Sequence, residues 1–181
     1  MLFRSKIINE SSKTNPIEIY GTMKLAGEIV TRGLSNYHKI PYTIIRPSAV
    51  YGPRDMNQRV SQIFINKAIE DLNINVQGKS ERLDFTYIDD LVDGTILAST
   101  SKKGINETFN ITNGRGRTLF EFVKILKKYF PKIKYTIKKR DEFRPKRGTL
   151  SIKKANRLVS YRPKVSLEEG IYRYLKFLKK I

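Results

Sequence analysis

Tyr20 and Lys24 lie four residues apart in the segment "IEIYGTMKLAGE" (residues 17–28). On a helix this spacing places the two side chains on one face, one turn apart. A nearby ammonium group stabilises a phenolate, and a phenolate can accept a proton from an alcohol. If the segment is helical, the pair therefore predicts proton transfer with a hydroxyl group of a substrate.

The spacing alone does not select this pair, because the same spacing occurs three times: Tyr20/Lys24, Tyr135/Lys139 and Tyr172/Lys176. The second pair falls on a strand pattern, where four residues span roughly 13 Å and the two side chains cannot act together. The third pair belongs to a terminal amphipathic helix, for which we predict a packing role. The first pair remains as the candidate for catalysis.

The elements that must position this pair alternate between helix and strand. A helix over 16–38 carries the pair, with Pro16 at a permitted first-turn position. The apolar, β-branched run "PYTIIR" (41–46) predicts a buried strand, and the Gly/Pro-containing loop "PSAVYGPRD" follows it. The candidate pair therefore precedes a strand whose carboxyl end opens into a loop.

Further along, helices are predicted at 58–71 and from an N-cap at Asp89 through Leu97. The capping boxes "TLFE" (118–121) and "SLEE" (166–169) each open another helix. The predicted strands between them are "NINVQG", "LDFTYI", "ETFNI" and the polar edge strand "KYTIKK" (134–139). This alternation predicts an α/β fold with a partly parallel sheet. Asp89 and Asp90 look like paired acid–base carboxylates, but we predict an N-cap and a structural contact.

The 181 residues, 39% of them hydrophobic, are sufficient for one domain with a packed core. The formal net charge is +19 and is unevenly distributed. Residues 1–100 contain 12 Lys/Arg and 11 Asp/Glu, whereas residues 101–181 contain 24 and 6. A basic half can indicate an anionic partner such as nucleic acid, a membrane surface or a phosphorylated small molecule. A solvated, lysine-rich surface is the interpretation that we favour for most of this charge.

The composition also excludes several kinds of site. With no cysteine, disulfides, thiolate nucleophiles and cysteine-based zinc sites are excluded. With His38 as the one histidine, a multi-histidine metal centre is excluded too, and we expect no metal. No apolar run approaches the roughly 20 residues of a membrane span, and the first residues do not read as a secretory signal. We therefore expect a cytoplasmic protein without a membrane partner.

Five blocks resemble, in order and spacing, the C-terminal half of the extended short-chain dehydrogenase/reductase family. They are "YGTMKLAGE", "IIRPSAVYGPR", "LDFTYIDDLVDG", "ETFNITNGRGRTLFEFV" and "RPKRGTLSIKKANRLVSYRPKVSLEEGI". The closest resemblance is to NAD-dependent nucleotide-sugar epimerases and dehydratases, and it extends from about Ile8 onward. It implies that residues 1–181 form the C-terminal part of a Rossmann-like doubly wound sheet plus a small α/β substrate-binding lobe.

The resemblance also implies roles around the cofactor. Tyr20 matches the catalytic tyrosine, which takes the proton as NAD oxidises the sugar hydroxyl. Lys24 matches the lysine that hydrogen-bonds the nicotinamide ribose and tunes that tyrosine. Pro47 and Ser48 stand where the family loop passes between nicotinamide and sugar. Ser48 replaces the asparagine often found there.

The nucleotide diphosphate of the substrate requires cationic groups, and arginine suits it because its planar fork can bind two oxygens. Arg147 or Arg144, in "RPKRG", matches the late diphosphate-binding arginine of the family. Arg82 lies near another family arginine, which usually stands immediately before the aspartate, where this chain has Leu83. Arg59 is a further candidate at a helix start.

Part of the expected active site is missing from the sequence. No G-x-x-G-x-x-G motif, which binds the NAD pyrophosphate in the family, is present. Ser5, Ser11 and Ser12 are too close to Tyr20 to match the catalytic Ser/Thr. We therefore expect the C-terminal half of an enzyme, either truncated or split from a separate cofactor-binding half. Alone it should be inactive and should not bind NAD tightly; when complete, a homodimer is implied.

The leading functional hypothesis is a UDP-glucose 4-epimerase-like protein that acts through a 4-keto intermediate. A nucleotide-sugar dehydratase, decarboxylase or reductase of the same family is the alternative within the enzymes. A hypothesis from another class is a non-catalytic basic module that binds anions or nucleic acid. Nucleic acid is the less favoured partner, since the resemblance already accounts for the arginines.

Overall fold

The computed structural model describes residues 7–141 and 147–181. Its helices are α1 (Ile19–His38), α2 (Val60–Ile69), α3 (Ile88–Thr100), α4 (Leu119–Tyr129), α5 (Lys153–Val159) and α6 (Leu167–Phe177). Its strands are β1 (Thr43–Pro47), β2 (Val50–Tyr51), β3 (Ile74–Gln77), β4 (Arg82–Leu83), β5 (Thr86–Tyr87), β6 (Glu107–Ile111), β7 (Arg117–Thr118) and β8 (Tyr135–Lys138). In these residues, none of the helices is both long enough and apolar enough to cross a membrane.

The strands pair two by two, and three of the four pairs in the described chain are parallel. β1 pairs with β6, β2 with β5 and β3 with β8 in parallel, whereas β4 and β7 are antiparallel. Because parallel neighbours need long crossover connections, helices lie between the paired strands in the chain. The prediction of an α/β fold with a partly parallel sheet is confirmed.

Two hydrophobic cores hold these elements together. The larger core, which includes Phe64, Ile74, Phe122 and Leu175, joins α2, β3, α4 and α6. The smaller core lies against β6 and is built from α3, α5 and the buried Tyr161. The first core packs the lobe around β3, and the second packs the β1–β6 pair against α3 and α5.

Several elements differ from the sequence-based expectation. "LDFTYI" is not one strand: β4 and β5 are separated at Asp84, because β4 pairs with β7 and β5 pairs with β2. Asp89 is not an N-cap, since α3 begins at Ile88 and no side chain caps it. The strand predicted as buried, β1, is only half-buried along its length. By contrast, Thr118 and Glu121 form the full capping box, and Ser166 accepts a hydrogen bond from the Glu169 amide.

The helix that carries the Tyr/Lys pair, α1, contributes no buried side chain to either core. A charged contact holds it against β1: the Glu28 carboxylate accepts two hydrogen bonds from the Arg46 guanidinium, from Nε and Nη2, both at 2.7 Å. Arg32 adds bonds to Glu28 and, at 3.2 Å, to Thr108 on β6. The position of α1 therefore depends on an ion pair more than on apolar packing.

The opposite side of α1 is apolar and exposed. Ile19, Met23, Val30 and Tyr37 recur at helical spacing, and each is more than half exposed. β1 is likewise hydrogen-bonded only to β6 among the described strands, so its other edge is unpaired. Parallel sheets normally have helices packed on both faces. This region therefore exposes more apolar side chains on α1, and more unpaired backbone groups on β1, than is usual for a parallel sheet.

We predict that Glu28→Gln loosens α1 without unfolding the rest of the chain. Removing one partner of a half-buried, charge-assisted pair costs roughly 1.5–3 kcal/mol, which should accelerate amide exchange in α1 about tenfold or more. Hydrogen exchange monitored by mass spectrometry measures this, with the exposed Glu70→Gln as the matched control. Equal protection of α1 in both variants would show that the ion pair does not hold the helix.

The same contact predicts a pH dependence of α1 protection. The hydrogen bond from Arg46 holds the pKa of Glu28 below its ordinary value of 4.5. A lowered pKa means that the contribution is complete above 4.5 and is lost as the pH falls through the lower, folded-state pKa. In the unmodified chain, the protection of the α1 amides from hydrogen exchange should therefore decrease when the pH is lowered below about 4.5. In Glu28→Gln the same protection should depend less on pH.

Candidate active site

A cleft of about 780 Å³ opens where β1 ends. Pro47 and Ser48 lie at this carboxyl end and line it, as does Tyr20 from α1. The carboxyl ends of parallel strands are where α/β folds bind ligands, and the volume is within the usual range for small-molecule sites. The structure thus brings five of the sequence-predicted site residues to one cavity: these three, Arg59 and Arg147.

Tyr20 and Lys24 form a contact on α1. The Lys24 ammonium nitrogen lies 5.4 Å from the centre of the Tyr20 ring, within cation–π range. Tyr172 and Lys176 on α6 make a comparable contact at 5.9 Å, so this distance does not distinguish the pairs. The two pairs differ in location, because Tyr20 lines the cleft and Tyr172 is not among the described residues that line it.

The backbone after β1 is unusual. Ala49, Arg54 and Gln58 have positive φ angles of 37°, 65° and 47°, a conformation that residues other than glycine seldom adopt. Two of them, Ala49 and Gln58, line the cleft beside Ser48. Positive φ angles also occur at five described residues outside this loop, so they define the course of the loop and do not by themselves mark a function.

The cleft is predominantly cationic. Among the described residues that line it, the basic side chains are Arg59, Lys67, Arg140 and Arg147, and the carboxylates are Glu81 and Asp141. Asp141 and Arg147 adjoin residues 142–146, which lie outside the described part of the chain. Such an excess of guanidinium groups favours an anionic ligand with several oxygen atoms, such as a diphosphate.

Arg147 is exposed, but the segment that follows it is firmly attached. Thr149 accepts a hydrogen bond from the Gly116 amide at 3.0 Å through its hydroxyl oxygen. The Leu150 amide donates at 3.1 Å to Asp84, a fully buried carboxylate. Arg147 therefore projects into the cleft from a position within three residues of a buried anchor.

The other sequence-predicted candidates are placed differently. Arg82 donates to the Gly116 carbonyl oxygen at 2.9 Å and is not among the described residues that line the cleft. Arg144 lies outside the described residues. Asp90 is buried and accepts hydrogen bonds from the backbone amides of residues 164 and 165, which confirms its structural role. Asp89 is exposed and lies 3.9 Å from Arg173.

Sequence reasoning missed several cleft residues. Asn75 and Gln77 are the exposed positions of β3, whose burial alternates strictly, so the two-residue period of the strand was a usable signal. Glu81 and Arg140 had no such signal, because they meet only through the folding of a turn and the end of β8.

Comparison with known proteins identifies the family. Residues 4–112 match the NAD dependent epimerase/dehydratase family. The chain belongs to that family. It is 30% identical to the putative UDP-glucose 4-epimerase of Methanocaldococcus jannaschii, over 95% of this chain and 57% of that protein. A decarboxylase and a reductase of nucleotide sugars also match, so the family is shown and a specific reaction is not.

Solved structures agree with this assignment. UDP-glucose 4-epimerase of Thermotoga maritima, crystallised with UDP-glucose, superposes with a TM-score of 0.88 at 30% identity, covering 96% of this chain and 57% of that chain. UDP-glucuronic acid 4-epimerase of Bacillus cereus, with UDP-glucuronic acid and NAD, gives a TM-score of 0.90 at 30% identity, covering 98% and 57%. The chain thus spans little more than half the length of these epimerases.

NAD is the cofactor of this epimerase/dehydratase family, and the described residues fit one end of it. Tyr20 presents a hydroxyl group at the cleft, and the ammonium nitrogen of Lys24 lies 5.4 Å from the centre of its ring. These are suitable donors for ribose hydroxyl groups. Pro47 and Ser48 form the adjoining wall. The described residues therefore fit a ribose of such a cofactor.

Proposed function

We propose that this chain provides the proton-transfer and substrate-binding part of a UDP-sugar 4-epimerase. The observation that carries the proposal is that Tyr20, in contact with Lys24, shares a cleft with Ser48 and with Arg59 and Arg147. The same cleft thus contains a group that can exchange a proton with a hydroxyl group and groups that can bind an anion. The names of the matched epimerases support a UDP-sugar as the substrate.

In the proposed reaction, Tyr20 accepts the proton of the C4 hydroxyl group of the sugar and later returns it. The Lys24 ammonium stabilises the phenolate that proton transfer requires. NAD, when bound, supplies the redox chemistry that makes the 4-keto sugar. In this proposal Ser48, which follows β1 and lines the cleft, hydrogen-bonds the sugar, and the arginines bind the diphosphate.

A separate or preceding cofactor-binding half is part of this proposal. The unpaired edge of β1 supports a companion with a parallel strand, since such a strand would form hydrogen bonds with the edge amide and carbonyl groups.

The exposed apolar face of α1 supports pairing with a second copy of the protein. Val30→Glu should then convert the complete protein from dimer to monomer in sedimentation, and an unchanged dimer would place the interface elsewhere.

The first test of function concerns Tyr20. In the chain complemented with a cofactor-binding half from a relative, Tyr20→Phe should lower the interconversion of UDP-glucose and UDP-galactose by about 100-fold or more, because general acid–base catalysis contributes about that much. Product chromatography measures the rate and also identifies dehydration, decarboxylation or reduction, should one of those be the reaction instead.

Tyr135→Phe and Tyr172→Phe are the matched controls, since each removes one phenol hydroxyl from a tyrosine with a lysine four residues later. Both variants should retain nearly full activity. Equal losses in all three variants would mean that Tyr20 has no special role, and binding of the UDP-sugar without any turnover would favour the non-catalytic anion-binding alternative.

The second test concerns Arg147. Arg147→Ala should weaken UDP-sugar binding by roughly 1.5–3 kcal/mol, because it removes a charge-assisted hydrogen-bonding group. Lys128→Ala, at an exposed position of α4, should cost only a few tenths of a kcal/mol, as is usual for surface charges. Calorimetry at two salt concentrations compares them. Comparable losses that both vanish at high salt would indicate a diffuse basic surface.

A further inference from the structure

A second cationic surface lies on the lobe around β3, on the side away from the cleft. The register of the β3–β8 pair sets Tyr135 opposite Ile74 and Thr136 opposite Asn75. Asn75 lines the cleft, whereas Ile74 is fully buried in the larger core, together with residues of α4. Because successive strand residues point to opposite faces, Tyr135 lies on the α4 side of the pair and not on the cleft side.

Two aromatic rings and two lysines meet on this surface. The rings of Phe120 and Tyr135 are in edge contact, with their centres 5.6 Å apart. The ammonium nitrogens of Lys79 and Lys124 lie 5.1 and 4.9 Å from the centre of the Phe120 ring, within cation–π range. Tyr135 is 37% exposed. None of these four residues lines the cleft, so the cluster is separate from the candidate active site.

Neighbouring carboxylates do not neutralise the charge of this surface. Residues 120–138 contain six lysines and one acidic residue, Glu121. Glu121 is already engaged, because it accepts three hydrogen bonds from Thr118 and Arg117. In the described part of the chain, no carboxylate lies within ion-pair distance of Lys79 or of the six lysines. These cations therefore remain available to an external anion.

The lysines are arranged along a line. Lys79 and Lys124 contact one ring and lie no more than about 10 Å apart, comparable with the screening length in physiological salt. Their repulsion is thus incompletely screened, and an anion bound between them would offset it. Lys127 is exposed and lies three residues beyond Lys124 on the same side of α4. The line therefore suits an anion with several phosphates more than a single phosphate group.

We propose that this surface, formed by Lys79, Phe120, Lys124, Lys127 and Tyr135, binds single-stranded nucleic acid. The lysines bind successive phosphates. The exposed ring of Tyr135, held edge-on by Phe120, provides a face on which one base stacks. A single strand is favoured because a duplex keeps its bases stacked on one another. This binding does not depend on the reaction proposed for the cleft.

The arrangement of the apolar groups favours nucleic acid over an anionic membrane. Lysines are attracted to both, but stable binding to a membrane surface also buries apolar side chains among the lipids. Phe120 is half-buried, and two ammonium groups flank its ring, so charged groups would have to enter the lipid with it. Stacking of a base needs only an exposed ring face, which Tyr135 supplies.

The test measures binding of a fluorescein-labelled oligouridylate of about 12 nucleotides, within the usual range of site sizes, by fluorescence anisotropy. Lys79→Gln combined with Lys124→Gln should weaken binding by the chain about tenfold at low salt. It should also reduce the slope of log affinity against log salt by roughly 1.4, since each phosphate contact in a single strand contributes about 0.7. Lys102→Gln combined with Lys103→Gln is the matched control. It removes two exposed lysines from the turn after α3 and should change binding less than about twofold.

Substitutions of Tyr135 test the stacking role. Tyr135→Leu should weaken oligouridylate binding about fivefold or more, the scale of one stacked base. Tyr135→Phe keeps the ring and should bind normally. Neither substitution should alter binding to a duplex of the same length, because its bases are not free to stack on the ring. Equal losses in Tyr135→Leu and Tyr135→Phe, or no loss in Tyr135→Leu, would overturn the proposal.

Three further outcomes would also overturn it. The first is no binding by the unmodified chain at low salt, and the second is equal losses in the two double-lysine variants, which would indicate a diffuse basic surface. The third is displacement of the oligouridylate by UDP at constant ionic strength, which would place the strand in the cleft. Cosedimentation with phosphatidylserine vesicles tests the membrane alternative. If Lys79→Gln with Lys124→Gln lowers vesicle binding but not oligouridylate binding, the surface belongs to a membrane and the proposal is wrong.

Discussion

One ion pair, Glu28–Arg46, fixes the geometry on which the candidate site depends. α1 contributes no buried side chain, so apolar packing does not fix its rotation against β1. A bidentate carboxylate–guanidinium contact has a defined orientation, and it supplies that restraint. Arg46 directly precedes Pro47 and Ser48, while Glu28 lies on the helix of Tyr20. The same contact therefore joins the helix of Tyr20, the proposed proton-transfer group, to the strand end that forms the cleft wall.

A second constraint, the buried carboxylate of Asp84, organises the opposite side of the cleft. Its oxygens accept hydrogen bonds from the Thr112 hydroxyl and from the Gly114 and Leu150 amides. Burial raises the pKa of Asp84, which reflects the cost of placing a charge in the interior, and these donors offset part of that cost. The Asp84 side chain thereby connects the residues between β4 and β5 to Leu150, in the segment that follows Arg147.

Much of this architecture follows from local sequence patterns. Capping boxes and hydrophobic periodicity predict the helices, because both signals depend on residues that are close together in the sequence. The break at Asp84 could not be predicted in this way, since it arises when β4 and β5 choose different partners distant in sequence. Similarly, the sequence context is sufficient to select Tyr20 as the candidate among three Tyr/Lys pairs. The contact between Arg140 and Glu81 has no such local signal, because it depends on the tertiary pairing of β3 with β8.

The charge of the chain shows why tertiary placement matters for recognition. A formal charge of +19 spreads over a surface on which lysines are mobile and hydrated, and salt screens such charges within about 10 Å. In the cleft, Leu83, Leu119 and Phe64 form apolar walls, and charges beside apolar surfaces interact more strongly than charges in open water. A few oriented guanidinium groups there can thus outweigh many lysines elsewhere. Binding of an anion in the cleft would therefore depend on where the guanidinium groups stand in space more than on the net charge of the chain.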